Sequence, residues 1–470
     1  MSNEDREPRA EDSGLISQHS LLFSIPNIRR FIAFRIGFNA RFYYPVFTIL
    51  FLDFGLTIEQ FAILNAFWAA SIVLFEVPSG ALADVIGRKR LVVIAAGLMV
   101  IEIAVLTFAP RGDAALLFAL FLVNRVLSGI AEAAASGADE ALAYDSLVAA
   151  GLADEWGRVL ERQMRLRSAV AVCAMVTGAA VYDPALMTAA AQFIGFDVQL
   201  TQADTLRLPL VLTLLMSGVA LWAALGMDEP EAGDGEPACG LGDACRRSLG
   251  EAFRMTFRAG AWILKTPFAL VIILGGLLFD HVIRMLITLN SQYFRLIDLP
   301  EASFGLIGGG MAILGLFIPR LALALARRNT PRGNFWLLAA VTLAGLYGMT
   351  WFIPYYGLIP MLLLYSVMLM SGFFVSHYLN RITDSRQRAT VLSFKGLSFN
   401  LAYGSIGLLY SAAVAAIRSG LAEGTGAAAE RTVFVEAMAG FPAYFGVALI
   451  LFGWIAARRL SGVTAHRRKG

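Results

Sequence analysis

Residues 80–90 read Gly80-Ala81-Leu82-Ala83-Asp84-Val85-Ile86-Gly87-Arg88-Lys89-Arg90, small residues and one acid followed by a turn glycine and a basic cluster. The order compresses a helix end, a tight turn and a new helix start into a single short connection. Apolar runs flank it at 58 to 80 and 91 to 109, each long enough to cross the hydrocarbon core as a helix. The stretch therefore reads as a loop between two membrane spans. Outward from it, apolar runs bounded by charge, Gly and Pro place further spans near 31 to 53, 114 to 137, 166 to 190, 207 to 227, 267 to 290, 301 to 325, 335 to 353, 357 to 379, 394 to 417 and 435 to 457. The expectation is an all-α integral membrane protein of 12 transmembrane helices, since the runs lack the short alternation of barrel strands.

Composition agrees. Of 470 residues, 58% are hydrophobic and 16% charged, with a mean hydropathy of +0.67, well outside soluble usage. A large extramembrane catalytic domain has no room. The net charge of +3 is too even for nucleic-acid binding, but its placement is informative. Connections and adjoining span ends on the side of residues 80–90 and of both termini carry 28 Lys and Arg, the other side 5, so the positive-inside rule puts both termini in the cytoplasm. The acidic, polar start shows no small-residue cleavage site, so the first span is expected to insert the chain. Cys173, Cys239 and Cys245 fit neither a disulfide framework nor a zinc site, and no metal or cofactor is expected.

The longest polar connection, 228–266, separates two halves, 31–227 and 267–457, between a cytoplasmic segment 1–30 and a basic tail 458–470. Within it Leu249, Phe253 and Phe257 recur every four residues among Arg246, Arg247, Arg254 and Arg258, the pattern of a helix lying on an anionic membrane face.

In the loop 80–90 the sequence resembles the major facilitator superfamily, whose 2/3-loop signature it matches through Gly80, Asp84, Gly87, Arg88 and Lys89; Val85 departs where a basic residue is usual. The resemblance implies two pseudo-symmetric six-helix bundles, a cavity lined by spans one, four, seven and ten, and alternating access by rocking. It implies that Gly80 permits close helix approach. It also implies that Asp84 accepts from the start of span eleven, near Thr390 to Ser393, and pairs with Arg88, latching the outward-facing state.

A second match, Asn124-Arg125 through Ser128-Gly129 to Ala131-Glu132, is similar to the span-four signature of proton-coupled members, with Ser128 and Ala131 departing from it. Arg125, Gly129 and Glu132 share one helical stripe. Span five lacks the paired glycines of antiporters, whereas the 10/11 loop from Asn380 and the stretch Ser136 to Asp145 look like bacterial exporters of the superfamily.

Ionisable groups at bilayer depth are functional candidates by default. On the cavity helices stand Arg35, Asn39 and Arg41, then Arg125 and Glu132, then Asp280, His281 and Arg284, and finally His377. Asp280 and Arg284 are four apart and can pair across one turn. Arg35 is expected to snorkel to the cytoplasmic edge, which leaves Arg41 as the better cavity residue. Glu76 belongs with the loop motif, Lys395 with the headgroups, and the two His with packing. Glu102 has no evident partner, and a protonated form is expected.

The expected protein is a monomeric secondary transporter of the inner membrane, moving a small amphipathic organic compound by proton-coupled efflux and contacting lipids. The alternative is an uptake or anion-exchange permease, favoured by four Arg against two acids on the cavity helices. A nontransporting sensor or a membrane enzyme would need a site the chain lacks, since there is no GxxxxGK[ST], HExxH or GxSxG.

Overall fold

The computed structural model describes residues 22, 24–229, 241–382, 385–420 and 427–467, and the regular structure among those residues is entirely helical. Among them ten helical stretches are long and apolar enough to cross a membrane. The helices are α1 (Pro26–Asn39), α2 (Phe47–Phe54), α3 (Ile58–Ile86), α4 (Arg88–Thr107), α5 (Ala114–Ala135), α6 (Ala138–Ala149), α7 (Trp156–Tyr182), α8 (Pro184–Phe193), α9 (Gln202–Thr205) and α10 (Leu208–Gly226). After the connection come α11 (Leu241–Lys265), α12 (Pro267–Thr288), α13 (Asn290–Leu296), α14 (Ser303–Arg328), α15 (Pro331–Thr350), α16 (Leu358–Ile382), α17 (Ser385–Gly420) and α18 (Ala427–Arg467).

The first expected span and the ninth, α15, are not among the ten, the fifth is displaced, and α17 and α18 run well beyond the spans expected there. The first is not one helix: α1 stops at Asn39, and a single turn at Tyr44–Val46 precedes α2. Pro45 is the physical reason, because its ring removes a donor and collides with the preceding turn. The fifth starts ten residues earlier than read and ends at Tyr182. There Pro184 holds Asp183 extended, and the Asp183 carboxylate caps α8 by accepting from Ala185 and Leu186 at 2.9 and 3.1 Å.

Within the first half α3, α4 and α5 pack on one another, and α10 closes against α1 and α4. In the second, α12 meets α16, α17 and α18, while α15 lies against α16 and α18. The halves join through α3 with α17 and α7 with α14. Small residues allow both contacts: Gly404 and Gly407 lie over Ala66, Ala69 and Ala62, and Gly305 sits on the backbone of Met175.

The stripe expected to lie on lipid stays open, with Phe253 38% exposed, and it is the later part of α11 that protein claims. α11 packs on α3, α12 and α17, with Ile263 buried and Gly260 against Phe394, while Phe257 stays 73% exposed.

Candidate functional site

Call the end of the bundle that holds the 80–90 loop the basic face. Among the described residues, bonds joining the two halves gather at the opposite face. Thr48 and Ile49 donate their N–H groups to Ser291 Oγ at 3.0 and 3.2 Å, and the Thr48 hydroxyl donates to the Thr288 carbonyl. Arg295 grips Asp53 with two nitrogens at 3.0 and 2.7 Å and reaches Glu301 at 2.6 Å. Tyr182 donates to the same Asp53 at 2.5 Å, and Arg418 bridges Glu59 and Glu430 at 2.5 Å each. These charged bonds seal one end of the interface.

Between that seal and the basic face lie two charged clusters, one in each half. Arg41, in the break after α1, pairs with Glu102 of α4; Asn124 donates to both the carboxylate and the 2.8 Å carbonyl of Glu102, and Arg125 donates through Nε to Asn124 Oδ1 at 3.0 Å. All four are buried, at 5%, 0%, 0% and 4% exposure. Two cations and one carboxylate leave one net positive charge. Arg125 lies over Phe47 and Phe51 at 5.2 and 5.5 Å, and its Nη2 has no hydrogen-bond partner. Tyr44, half exposed, stands within electrostatic reach of Arg41, Arg125 and Glu132.

The second cluster is built on one turn of α12. Arg284 meets Asp280 at 2.7 Å, donates to Asn400 at 2.9 Å and lies 5.5 Å from the Tyr403 ring. Thr288 donates to the Arg284 carbonyl at 2.8 Å, so at 2.9 Å the Tyr403 hydroxyl is the donor to Thr288. Tyr403 is within electrostatic reach of Arg125 as well, and its ring meets Trp68 edge-on at 6.3 Å, so the clusters face each other across the interface.

Several expected residues stand elsewhere. Arg35 pairs with Asp139 at 2.7 Å and with Glu140, at the start of the helix that follows span four. Asn39 turns back to the Arg35 carbonyl at 2.8 Å rather than lining a cavity. Glu102 has the partner its sequence context hid, Arg41, sixty-one residues away. Arg41 is accordingly a buried partner and not an open cavity cation. Glu132 is exposed and makes no ion pair with Arg125. Gly129 is a packing position, where a Cβ would stand 2.6 Å from Ser71 Cβ. Lys395, expected at the headgroups, lies 5.8 Å from the Phe399 ring. His281 is fixed in packing, with Nδ1 on the Leu277 carbonyl at 2.6 Å and Nε2 on the Tyr444 hydroxyl at 3.0 Å. His377 stacks on Phe373 at 5.7 Å.

At the basic face Gly87 takes φ +93°, a conformation that favours glycine, so the turn is made as read. Glu229, just past α10, caps the start of α4 by accepting from the N–H of Arg88 and Lys89 at 3.0 and 2.7 Å. Among the described side chains Arg88 pairs with Asp145. The Asp84 carboxylate, and with it the expected bonds from N–H donors near Thr390 to Ser393, lies outside the described side chains. A Cβ on Gly80 would meet nothing within 4 Å, so the expected close approach is not made there. Sequence reasoning missed Tyr44, Tyr403, Asn400 and Glu229; an aromatic or amide on an apolar helix carries no local mark of what it faces.

No curated protein matches the sequence. Among solved structures the chain is similar to a bacterial homolog of the human lysosomal transporter Spinster, inward-facing and unoccupied, with TM-score 0.67 at 16% identity over 94% of this chain and 98% of that one. It is similar to the nucleoside transporter NupG, with TM-score 0.64 at 12% identity over 92% and 98%. A third is the xylose transporter XylE from E. coli, with TM-score 0.52 at 13% identity over 92% and 98%. Identities this low establish the fold alone. The family model described as Major Facilitator Superfamily matches residues 31–407. With that match over most of the chain, and a helical bundle of the same fold around a charged interface, the protein belongs to the major facilitator superfamily and is a multi-pass membrane transporter, not an enzyme.

Proposed function

We propose that the protein exports a small amphipathic organic compound across the cytoplasmic membrane in exchange for protons, with its basic face and both termini in the cytoplasm. The halves 31–227 and 267–457 rock about the interface, and the seal at the opposite face corresponds to a state open to the cytoplasm. The observation that carries the reading is the Asp280–Arg284 pair. An acid and a base one turn apart, with side chains 15% and 30% exposed, face a second cation across the interface. A bound substrate that draws Arg284 away leaves Asp280 to take up a proton, and return of Arg284 expels it. Asn400 and Tyr403 hold the guanidinium between turnovers.

The test is substrate-induced proton movement in proteoliposomes. Asp280→Asn abolishes flux driven by a pH gradient and leaves downhill exchange intact, while Glu132→Gln, at an exposed position, is milder. Intact proton movement in Asp280→Asn removes that residue from the mechanism.

A second reading, an anion-exchange permease, is favoured by the unpartnered Arg125 Nη2 and the net positive charge of its cluster. Absence of proton movement in the wild type, together with competition by anionic solutes that Arg125→Gln abolishes, decides for it.

A further inference from the structure

Away from the interface, α12, α15, α16 and α18 enclose a cavity of about 400 Å³ at the basic face, where α12 and α15 begin and α16 and α18 run out. Its walls are apolar, dominated by Phe335, Phe374, Phe452 and Trp336, and Gly275 and Gly453 keep the space between them. The volume falls within the range of sites that hold a small organic ligand. Polar groups are few: Ser371, Tyr378 and, where the described helices begin, Arg332. Arg332 is exposed and belongs to the first turn of α15, beside the N–H groups that Thr330 caps through Gly333. Positive charge from the side chain and from the helix start thus converge on the mouth.

An apolar cavity that opens beside a cation at the basic end of these helices fits a ligand with a long apolar part and one anionic head. The bilayer supplies that ligand. We propose that the cavity binds an acyl chain of an anionic phospholipid, whose phosphodiester is held by the Arg332 guanidinium. Trp336, 48% exposed one turn into α15, stands where an indole meets the chain–headgroup boundary. The site is separate from the central clusters and requires neither direction of transport.

The test is native mass spectrometry of the full chain in detergent micelles, titrated separately with phosphatidylglycerol, phosphatidylcholine and glycerol phosphate. The wild type retains phosphatidylglycerol about fivefold better than phosphatidylcholine, the factor expected for one cation at the headgroups. Arg332→Gln removes that preference, and Arg332→Lys restores part of it. Gly453→Leu projects into space, because a Cβ there meets no heavy atom within 4 Å, and it abolishes retention with thermal unfolding unchanged. Equal retention of the two lipids by the wild type, unchanged preference in Arg332→Gln, or displacement of lipid by glycerol phosphate alone overturns the proposal. If Gly453→Leu fails to fold, the exposed Arg332 variants still decide.

Discussion

The two charged clusters use similar residues and differ in how they are enclosed. The Arg41–Glu102–Asn124–Arg125 network draws on three segments of the first half and is sealed from water throughout. The Asp280–Arg284 pair occupies one turn of one helix and keeps partial access to solvent. Removing one partner from a buried ion pair leaves an uncompensated charge, whereas a part-exposed pair trades its partner for water at small cost. The first cluster is thus suited to hold the helices in place, the second to change partners during a cycle.

The largest expected effect breaks the first cluster. Glu102→Gln strands Arg41 and destabilises the protein by roughly 3 to 5 kcal/mol. Thermal unfolding in detergent, read by tryptophan fluorescence, checks it, and an unfolding temperature within error of wild type would make Arg41 water-accessible and the comparison void. Second is Asp53→Asn at the opposite-face seal, where Arg295 and Tyr182 both lose their anionic acceptor. Loss of charge-assisted bonds of about 1.5 to 3 kcal/mol shifts the interface toward opening on that face. A cysteine at Thr48 then labels faster with an impermeant thiol reagent than in an otherwise wild-type background.

A third, smaller effect is at the basic face. Glu229→Ala uncaps α4 and costs about 1 kcal/mol, visible as faster hydrogen exchange at Arg88 and Lys89. The smallest sharpens the comparison from its other side: Asp280→Asn lowers unfolding stability by less than Glu102→Gln does while altering transport. A loss as large as that of Glu102→Gln would make the second cluster structural too.

What could be read before folding was what is local in the chain. The turn at Gly87, the extent of α10 and α12, and the i, i+4 geometry of Asp280 and Arg284 depend on neighbours within one or two helical turns. Pro45 also announced a break in the first span, yet the apolar run through it was stronger than that single mark. Glu102 was found as a buried acid but not paired, because Arg41 lies on another helix and nothing in periodicity ranks one distant cation above another. Arg88 illustrates the same limit: its bond to Asp145, fifty-seven residues away, depends on the packing of α6 against α4, which no local pattern announces.

The gap between α1 and α2 gives the first span two allegiances. α1 lies against α10 and α7 in its own half, whereas α2 is stitched to the other half through Thr48, Ile49 and Asp53. A continuous helix under such opposed loads would have to bend, and bending a hydrogen-bonded rod is resisted along its whole length. A joint at 40–46 confines the strain to a few backbone dihedrals, so the outer segment can swing as a crank while the inner one stays seated. Arg41 lies at the pivot, which ties the angle of that crank to the buried charge it carries.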